Sequence, residues 1–368
     1  MEKLDFKPYK DALRDKAFLT ENSRGRRFPR HSDEDGVYGG ILDPYRLDIQ
    51  KIRMSKALRR LSDKTQVFPH TFSDVNNVHV RTRGSHTCEV VSIAVILAEI
   101  LGLNVQLVEA IAWGHDVGHA PYGHLGERTI ASILEKKFRH EIMSVIVLQQ
   151  CERRGGGLNL SFEVLEGILH HSRSNKGLEI NHDLPLEYAL VMLSDKIAYI
   201  FSDLNDAVRV GCFSCEAEIP YLLELGLNQR KRNLACLHAL VKESAEKGFV
   251  SFSESVTAIR FNKLRNWAYE NLYNKLDLSP ERLQLVEDLK TVHGFLASLR
   301  ELELINFDPA LALALMTDGE AELMTKIAER QTMKDLEVIK TLGFYETART
   351  IPGEINLLDP DLDWGKKK

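Results

Sequence analysis

Cysteine is scarce and irregularly placed in this chain. The five are Cys88, Cys151, Cys212, Cys215 and Cys236. An odd number without regular spacing excludes a secreted disulfide scaffold. Cys212 and Cys215 form one CxxC, but no second pair follows at zinc-ribbon spacing and no thioredoxin-like strand pattern surrounds it. Both read as ordinary reduced thiols. Long apolar runs are also missing. The longest, Val90 to Leu103, is interrupted by Glu99 and reads as too short to span a bilayer. The opening MEKLDFKPYK has no signal core. Positive charge is not in excess: the formal net charge of -5 argues against a molecule built to coat nucleic acid or an anionic membrane. Together these absences predict a reduced, cytoplasmic setting and no membrane. Alternating β-branched runs are rare, and only 64–68, 78–82 and 248–252 read as possible short strands. There is no solenoid-type repeat. What is present is a chain of 368 residues, enough for one large domain or two modest ones.

Residues 1–40 read as an irregular basic arm, with SRGRRFPR at 23–30 and the turn-rich HSDEDGVYGG at 31–40. Arg24, Arg26, Arg27 and Arg30 are either a solvated surface or an anion-facing patch, and composition favours the surface. From Asp43 onward helical periodicity dominates. Ile49, Ile52, Leu58 and Leu61 share a face of a helix starting near Pro44. Further helices are predicted at about 85–101, from an Asn104 cap to about 116, and at 125–136, 141–152, 161–171 and 186–206. Gly155-Gly156-Gly157 interrupts the pattern. More helices fill 217–345, with Pro220 and Pro280 near starts, and the last twenty residues read as a loose end. The fold class is all-α: a core over 41–215 and a helical C-terminal region, 216–368, packed on it.

Histidines and acids cluster between 79 and 206. HDVGHAPYGHLGE at 115–127 holds His115, Asp116, His119, His124 and Glu127. RTRGSH ends upstream at His86; FRHE contains His140, and SDKIAYIFSD contains Asp195, Lys196, Tyr199 and Asp203. His86, His115, Asp116 and Asp195 come from three predicted helices or their ends. Two imidazoles and two carboxylates would neutralise a dication and leave positions open, as hydrolytic metals require. The absence of thiolates points to manganese, iron, magnesium or cobalt instead of structural zinc. Any one of these histidines alone would read as an ordinary core or surface residue; the joint pattern carries the argument. Asp195, Tyr199 and Asp203 stand at i, i+4 and i+8, one stripe of a helix that is otherwise apolar nearly all round. Buried carboxylates must be paired or bind metal. Glu127 stands three residues after His124, close enough to orient its imidazole as a proton shuttle. A helix beginning there would offer its N-terminus to phosphate; the plainer alternative is a turn decorated with capping residues.

On these motifs the sequence resembles the HD-domain deoxynucleoside triphosphate triphosphohydrolases, the dGTPase-like proteins. The resemblance runs from about Asp48 to Gly211. It rests on ALRRLSDKTQVF at 57–68, RTRGSH at 81–86, HDVGHAPYGHLGE at 115–127, GLNLSFEVLEGILHH at 157–171 and SDKIAYIFSD at 194–203. It implies an HD core over 41–215. It also implies His86, His115, Asp116 and Asp195 as metal ligands, His124 and Glu127 as the catalytic pair, and His119 and His140 as polar companions beside the phosphates. Arg60, Lys196 and Tyr199 fall where members contact triphosphate and sugar, and Asp203 where a carboxylate receives the sugar 3′-hydroxyl. The implied reaction releases a deoxynucleoside and tripolyphosphate, from dGTP or several dNTPs. Homo-oligomers and nucleotide or single-stranded DNA effectors are further implied. One departure is the missing YISGMTDxYA-like segment; Met316-Thr317-Asp318, in LALALMTDGEAE, reads as a coincidence. Residues 205–368 therefore carry no assigned chemistry.

Three other readings are open. One is an HD phosphohydrolase acting on a nucleoside monophosphate, a cyclic nucleotide or a stringent-response nucleotide, against which RRLxxKTQVF and the DKIAY stripe argue. Another is a non-catalytic nucleotide sensor. The third is a nucleic-acid-binding protein using the arm arginines, which the net acidity disfavours.

Overall fold

Thr82 starts the helix on which the core is built. Its hydroxyl accepts from the Ser85 backbone N–H while the Ser85 hydroxyl accepts in return, a reciprocal cap. The helix then runs from Arg83 to Leu101 and ends on Gly102 at φ 78°. A glycine tolerates that left-handed stop without a Cβ penalty. The computed structural model describes residues 4–28, 41–68, 79–172, 181, 183–330 and 335–365. Within them the helices are α1 (Pro44–Met54), α2 (Arg83–Leu101), α3 (Val105–Gly114), α4 (His124–Leu134), α5 (His140–Ile146), α6 (Phe162–His170) and α7 (Leu186–Arg209). After these come α8 (Gln229–Lys247), α9 (Val256–Ala268), α10 (Pro280–Glu301), α11 (Pro309–Leu315), α12 (Asp318–Arg330) and α13 (Gly343–Ala348), with shorter turns between.

The protein is all-α. Among the described residues there are only two isolated β-bridges, Arg26 with Ser161 and Thr65 with Thr82. The strand readings at 64–68 and 248–252 therefore fail, and position 78 lies outside the described residues. Helix α2 packs on α3 and α7, and α3 packs on α1, α6 and α7. Val90, Ala94, Leu97, Ala98 and Leu101 of α2 are fully buried in that junction. Each of the larger ones contributes about 1.5–3 kcal/mol. By length and composition α2 is apolar enough to cross a membrane, contrary to the reading from Val90–Leu103 alone, yet it carries Arg83 and His86 buried at one end. Asn104 does cap α3, accepting from Leu107 N–H at 3.0 Å.

Other boundaries shift for local reasons. The helix from Pro44 stops at Met54 because Ser55 turns extended and caps a second short helix, Lys56–Arg60. Where it is described, the arm is part surface and part core: Arg24 is exposed, as the surface reading expects, whereas Arg26 is buried. Arg26 is buried against Asp48 at 2.5 Å and donates to the Asn159 carbonyl at 2.8 Å; Arg24 pairs with Glu166 and Arg27 with Asp361. Arg30 and residues 31–40 lie outside the described residues. The C-terminal end is strapped down: Trp364 donates to Gln149, which donates back to the Pro360 carbonyl, and Leu357 and Leu362 are buried. Helices α10 and α11 pack directly on α4, which sets one wall of the site.

Candidate active site

Each site residue is presented by the end of an element or by a buried stripe. The first turn of α2 buries Arg83 and His86 three residues apart, on one face. Helix α3 ends at Gly114, and the chain continues as His115 and Asp116 into a non-helical turn. Two features let that turn reverse so tightly. Gly118 lies against α5, where a Cβ would stand 2.0 Å from the Ser144 nitrogen. Gly123 has φ +61°, and a Cβ there would meet the Arg83 guanidinium at 2.8 Å. Helix α4 then begins at His124. His140 opens α5, His171 follows α6, and Asp195 stands midway along α7.

The four donors distant in sequence meet. His86 Nε2 lies 3.0 Å from Asp195 Oδ1, and His115 Nε2 lies 3.8 Å from the same oxygen and 3.5 Å from Asp116 Oδ1. Burial would raise Asp195, but the His86 hydrogen bond and charge outweigh it and hold the carboxyl low. Asp116 is also held low: burial is outweighed by His115, His119 and Arg83, whose Nη1 donates to its Oδ2 at 2.8 Å. The tautomer of His115 supplies the fit test for a metal. Its Nδ1 donates to the Ala112 carbonyl at 2.7 Å, which leaves the lone pair on Nε2. That buried Nε2 has no hydrogen-bond partner and points at two carboxylate oxygens. A lone pair facing two anions is repulsive unless a proton or a metal cation lies among them. The donor set fits a divalent ion.

Beside it is a second constellation. Glu127 accepts from His124 Nδ1 at 2.8 Å and from the His140 backbone N–H at 3.1 Å, and its Oε2 lies 3.2 Å from His140 Nδ1. Burial would lower His140, but Glu127 outweighs it and carries the imidazole up to about 9. His119 stacks on His140 with ring centroids 3.9 Å apart, and burial and Arg83 push it well below the usual histidine range. Burial, His115 and His140 lower His171 to about 4. His124 itself is mostly exposed, its side chain 60% accessible, so it faces an incoming ligand.

Asp116, Asp195, His119, His124, Glu127, His140 and His171 line a cleft of about 430 Å³, a volume that suits a nucleotide. Opposite the histidines, Asp195, Tyr199 and Asp203 of α7 face a second stripe, Arg265, Tyr269 and Tyr273, from α9 and the wide turn that continues it. Tyr199 and Tyr269 hydroxyls lie 3.4 Å apart, and Tyr273 donates to Asp203 at 2.7 Å. Burial, partly offset by Tyr273, pushes Asp203 up to about 7. Lys196, Arg83, Arg128 and Arg282 supply positive charge along the walls.

Residues 83–200 match the HD domain family model. The chain is 36% identical over 274 residues to a deoxyguanosinetriphosphate triphosphohydrolase-like protein of Clostridium tetani, covering 72% of this chain and 74% of that one. It is 40% identical over 235 residues to a protein of the same name from Caldanaerobacter subterraneus (63% and 66% covered), and 36% identical over 276 residues to one from Clostridium perfringens (72% and 76%). This chain belongs to the deoxyguanosinetriphosphate triphosphohydrolase-like family of HD-domain proteins. Of the residues singled out for that family in the sequence, His86, His115, Asp116, His119, His124, Glu127, His140, Asp195, Lys196, Tyr199 and Asp203 are brought together here.

Arg60 is the exception. It does not line the cleft; its guanidinium reaches Thr347 of α13 at 3.5 Å and lies in the field of Glu152 and Glu320. It is the last residue of the short helix Lys56–Arg60, and its side chain packs toward α13. A different basic residue of that segment, Lys64, points inward and donates to the His119 carbonyl, with burial pushing it down to about 7. Met316-Thr317-Asp318, which carried no chemistry in the sequence, supplies a buried structural contact. Asp318 is buried and accepts from Thr65 N–H at 2.9 Å and Tyr122 N–H at 2.8 Å, clasping two loops of the site. The sequence reading also passed over Arg83, although RTRGSH contains it, and over His171 in GILHH. The signal for Arg265, Tyr269 and Tyr273 was their i, i+4, i+8 spacing, the same one that marked Asp195, Tyr199 and Asp203.

Proposed function

We propose that the protein is a metal-dependent triphosphohydrolase that cleaves a deoxynucleoside triphosphate, dGTP or several dNTPs, to deoxynucleoside and tripolyphosphate. One observation carries this reading: the four convergent donors open onto a nucleotide-sized cleft walled by cationic side chains on one part and a tyrosine–carboxylate stripe on another. The names of the similar proteins support the same class of substrate.

His86, His115, Asp116 and Asp195 would hold a divalent ion, which supplies Lewis-acid charge at the phosphate. The protein's own groups do the rest. Lys196, Arg83, Arg128 and Arg282 offset the negative charge of a triphosphate. His124, with Nδ1 bonded to Glu127, presents Nε2 to the cleft. There it gives a proton to the leaving 5′-oxygen or takes one from the attacking water. Asp203, with Tyr273 bonded to one oxygen, receives the sugar 3′-hydroxyl. Tyr199 and Tyr269 crowd the place of a 2′-hydroxyl and so disfavour ribonucleotides.

The test is to load the protein with manganese, incubate it with each dNTP and each NTP separately, and identify both products. Deoxynucleoside with intact tripolyphosphate is the expected result. Orthophosphate or pyrophosphate as the product would replace this reading with another HD-type phosphohydrolase.

A further inference from the structure

A carboxylate stands among the cations that the proposed function sets against a triphosphate. Arg128 follows His124 by four residues, so the two share a face of α4. Arg282 lies in the first turn of α10. Asp277 ends the short helix Asn274–Asp277, which continues the turn carrying Tyr269 and Tyr273. All three side chains line the cleft. Asp277 Oδ1 accepts from Arg282 Nη1 at 2.8 Å and lies 2.7 Å from Arg128 Nη2. One carboxylate oxygen thus joins α4, which carries His124, to the stripe that carries Tyr273.

Arg282 is held from a second side as well, since its Nη2 donates to the Val67 carbonyl and the residue is buried. Burial pulls its guanidinium down, Asp277 opposes this, and the Arg128 charge adds to it. Arg128 is the exposed member of the cluster. A triphosphate drawn to these two arginines meets a carboxylate already bonded to both. That carboxylate takes up positive charge the phosphates would otherwise neutralise, and it repels the phosphate chain directly. The repulsion differs before and after reaction. Water attack at the α-phosphorus releases the 5′-oxygen as an alcohol and leaves a new acidic P–OH on the chain. Tripolyphosphate therefore carries more negative charge than the same chain did as an ester, and the carboxylate disfavours it more.

We propose that Asp277 is a positioning residue that speeds the departure of tripolyphosphate, by holding Arg128 and Arg282 and weakening their grip on the anion. The inference rests on the triphosphate chemistry of the proposed function. Product release limits turnover in many enzymes, so a charge that loosens the product acts on kcat. Asp277→Asn keeps the shape and one oxygen acceptor but removes the charge. A merely structural role would make any substitution here weaken anion binding, because the two arginines would lose their places. The charge role predicts the opposite sign.

The test titrates the manganese-loaded, full-length protein with inorganic tripolyphosphate by isothermal calorimetry, beside steady-state turnover of dNTPs. Asp277→Asn should bind tripolyphosphate about tenfold more tightly than the wild type, the effect of one nearby unit charge at a partly exposed site. Its KM and kcat should fall together. Asp277→Glu, which keeps the charge, should return the affinity toward wild type. Asp277→Ser, also uncharged, makes the same measurement where the Asn variant fails to fold. Unchanged or weaker tripolyphosphate binding by the uncharged variants would overturn the inference. Product analysis of the wild type separates the two readings. Tripolyphosphate released from dNTPs, with no tightening in the variants, removes only the role of Asp277. Tightening without tripolyphosphate release keeps Asp277 as the residue that loosens polyphosphate anions and removes the proposed substrate.

Discussion

At the residue scale, the candidate metal site is a problem of lone pairs and charge. His86 and Asp195 hold each other, and His115 points an unshared lone pair at two carboxylates. Asp195→Ala should therefore lose metal and activity together, checked by elemental analysis beside turnover; activity without metal would show the ligand set to be different. His124 is mostly exposed and bonded to Glu127, so its removal should leave metal content and KM near wild type. Its kcat should fall by ~10²–10⁴, the range for a lost general acid or base. A third expectation concerns Asp203. Its carboxyl is raised from 3.8 to about 7 in the folded protein. The folded state keeps a proton that the unfolded chain releases, so stability falls as pH rises from about 4 to 7. Asp203→Asn cannot ionise and should lack this slope. Thermal melts across pH 4–8 should show it gaining on the wild type by roughly 4 kcal/mol at most by pH 7.

At the element scale, the site is made where helices end or lie face to face. Helix α7 brings Asp195, Tyr199 and Asp203 to one side, and α9 with its wide turn brings Arg265, Tyr269 and Tyr273 to the other. A stripe was readable for each helix separately from spacing; that the two stripes meet was not. The turn between α3 and α4 can approach α5 only because residue 118 is glycine. Gly118→Ala would drive a Cβ to 2.0 Å from the Ser144 nitrogen. Overpacking of this kind costs about 1–3 kcal/mol. The expected outcome is a lowered urea midpoint together with reduced turnover, because the same shift displaces His119 from His140. Full turnover at lowered stability would show that the stacked pair has no part in the reaction.

At the scale of the whole molecule, the C-terminal helices complete the site. Asp318, at the start of α12, accepts from the backbone of both Thr65 and Tyr122. Helices α10 and α11 pack on α4 behind His124. Asp318→Ala would leave two buried N–H groups without partners, each costing about 1–3 kcal/mol. Thermal denaturation should show the loss of stability. KM should rise more than kcat falls, because the loop carrying Gln66 and Val67 into the cleft loses its clasp. An unchanged KM would show that the clasp serves stability alone.

The sequence by itself determined the fold class, most helix starts and the residue types of the four candidate donors, because these are written locally. Apolar residues recur at helical period, Asn104 caps α3, and HD, DKIAY and RTRGSH keep their residue types at short range. Only the tertiary structure decided what depends on direction and on distant packing. Packing buries the Arg60 guanidinium beside Thr347, away from the cleft, and turns Lys64 toward His119. Arg26 is an internal ion pair instead of a surface charge, since Asp48 and Asn159 close over it. Asp318 becomes a clasp because helices far apart in the chain bury a common core. A side chain's partner across that core is set by three-dimensional packing, which no local period encodes.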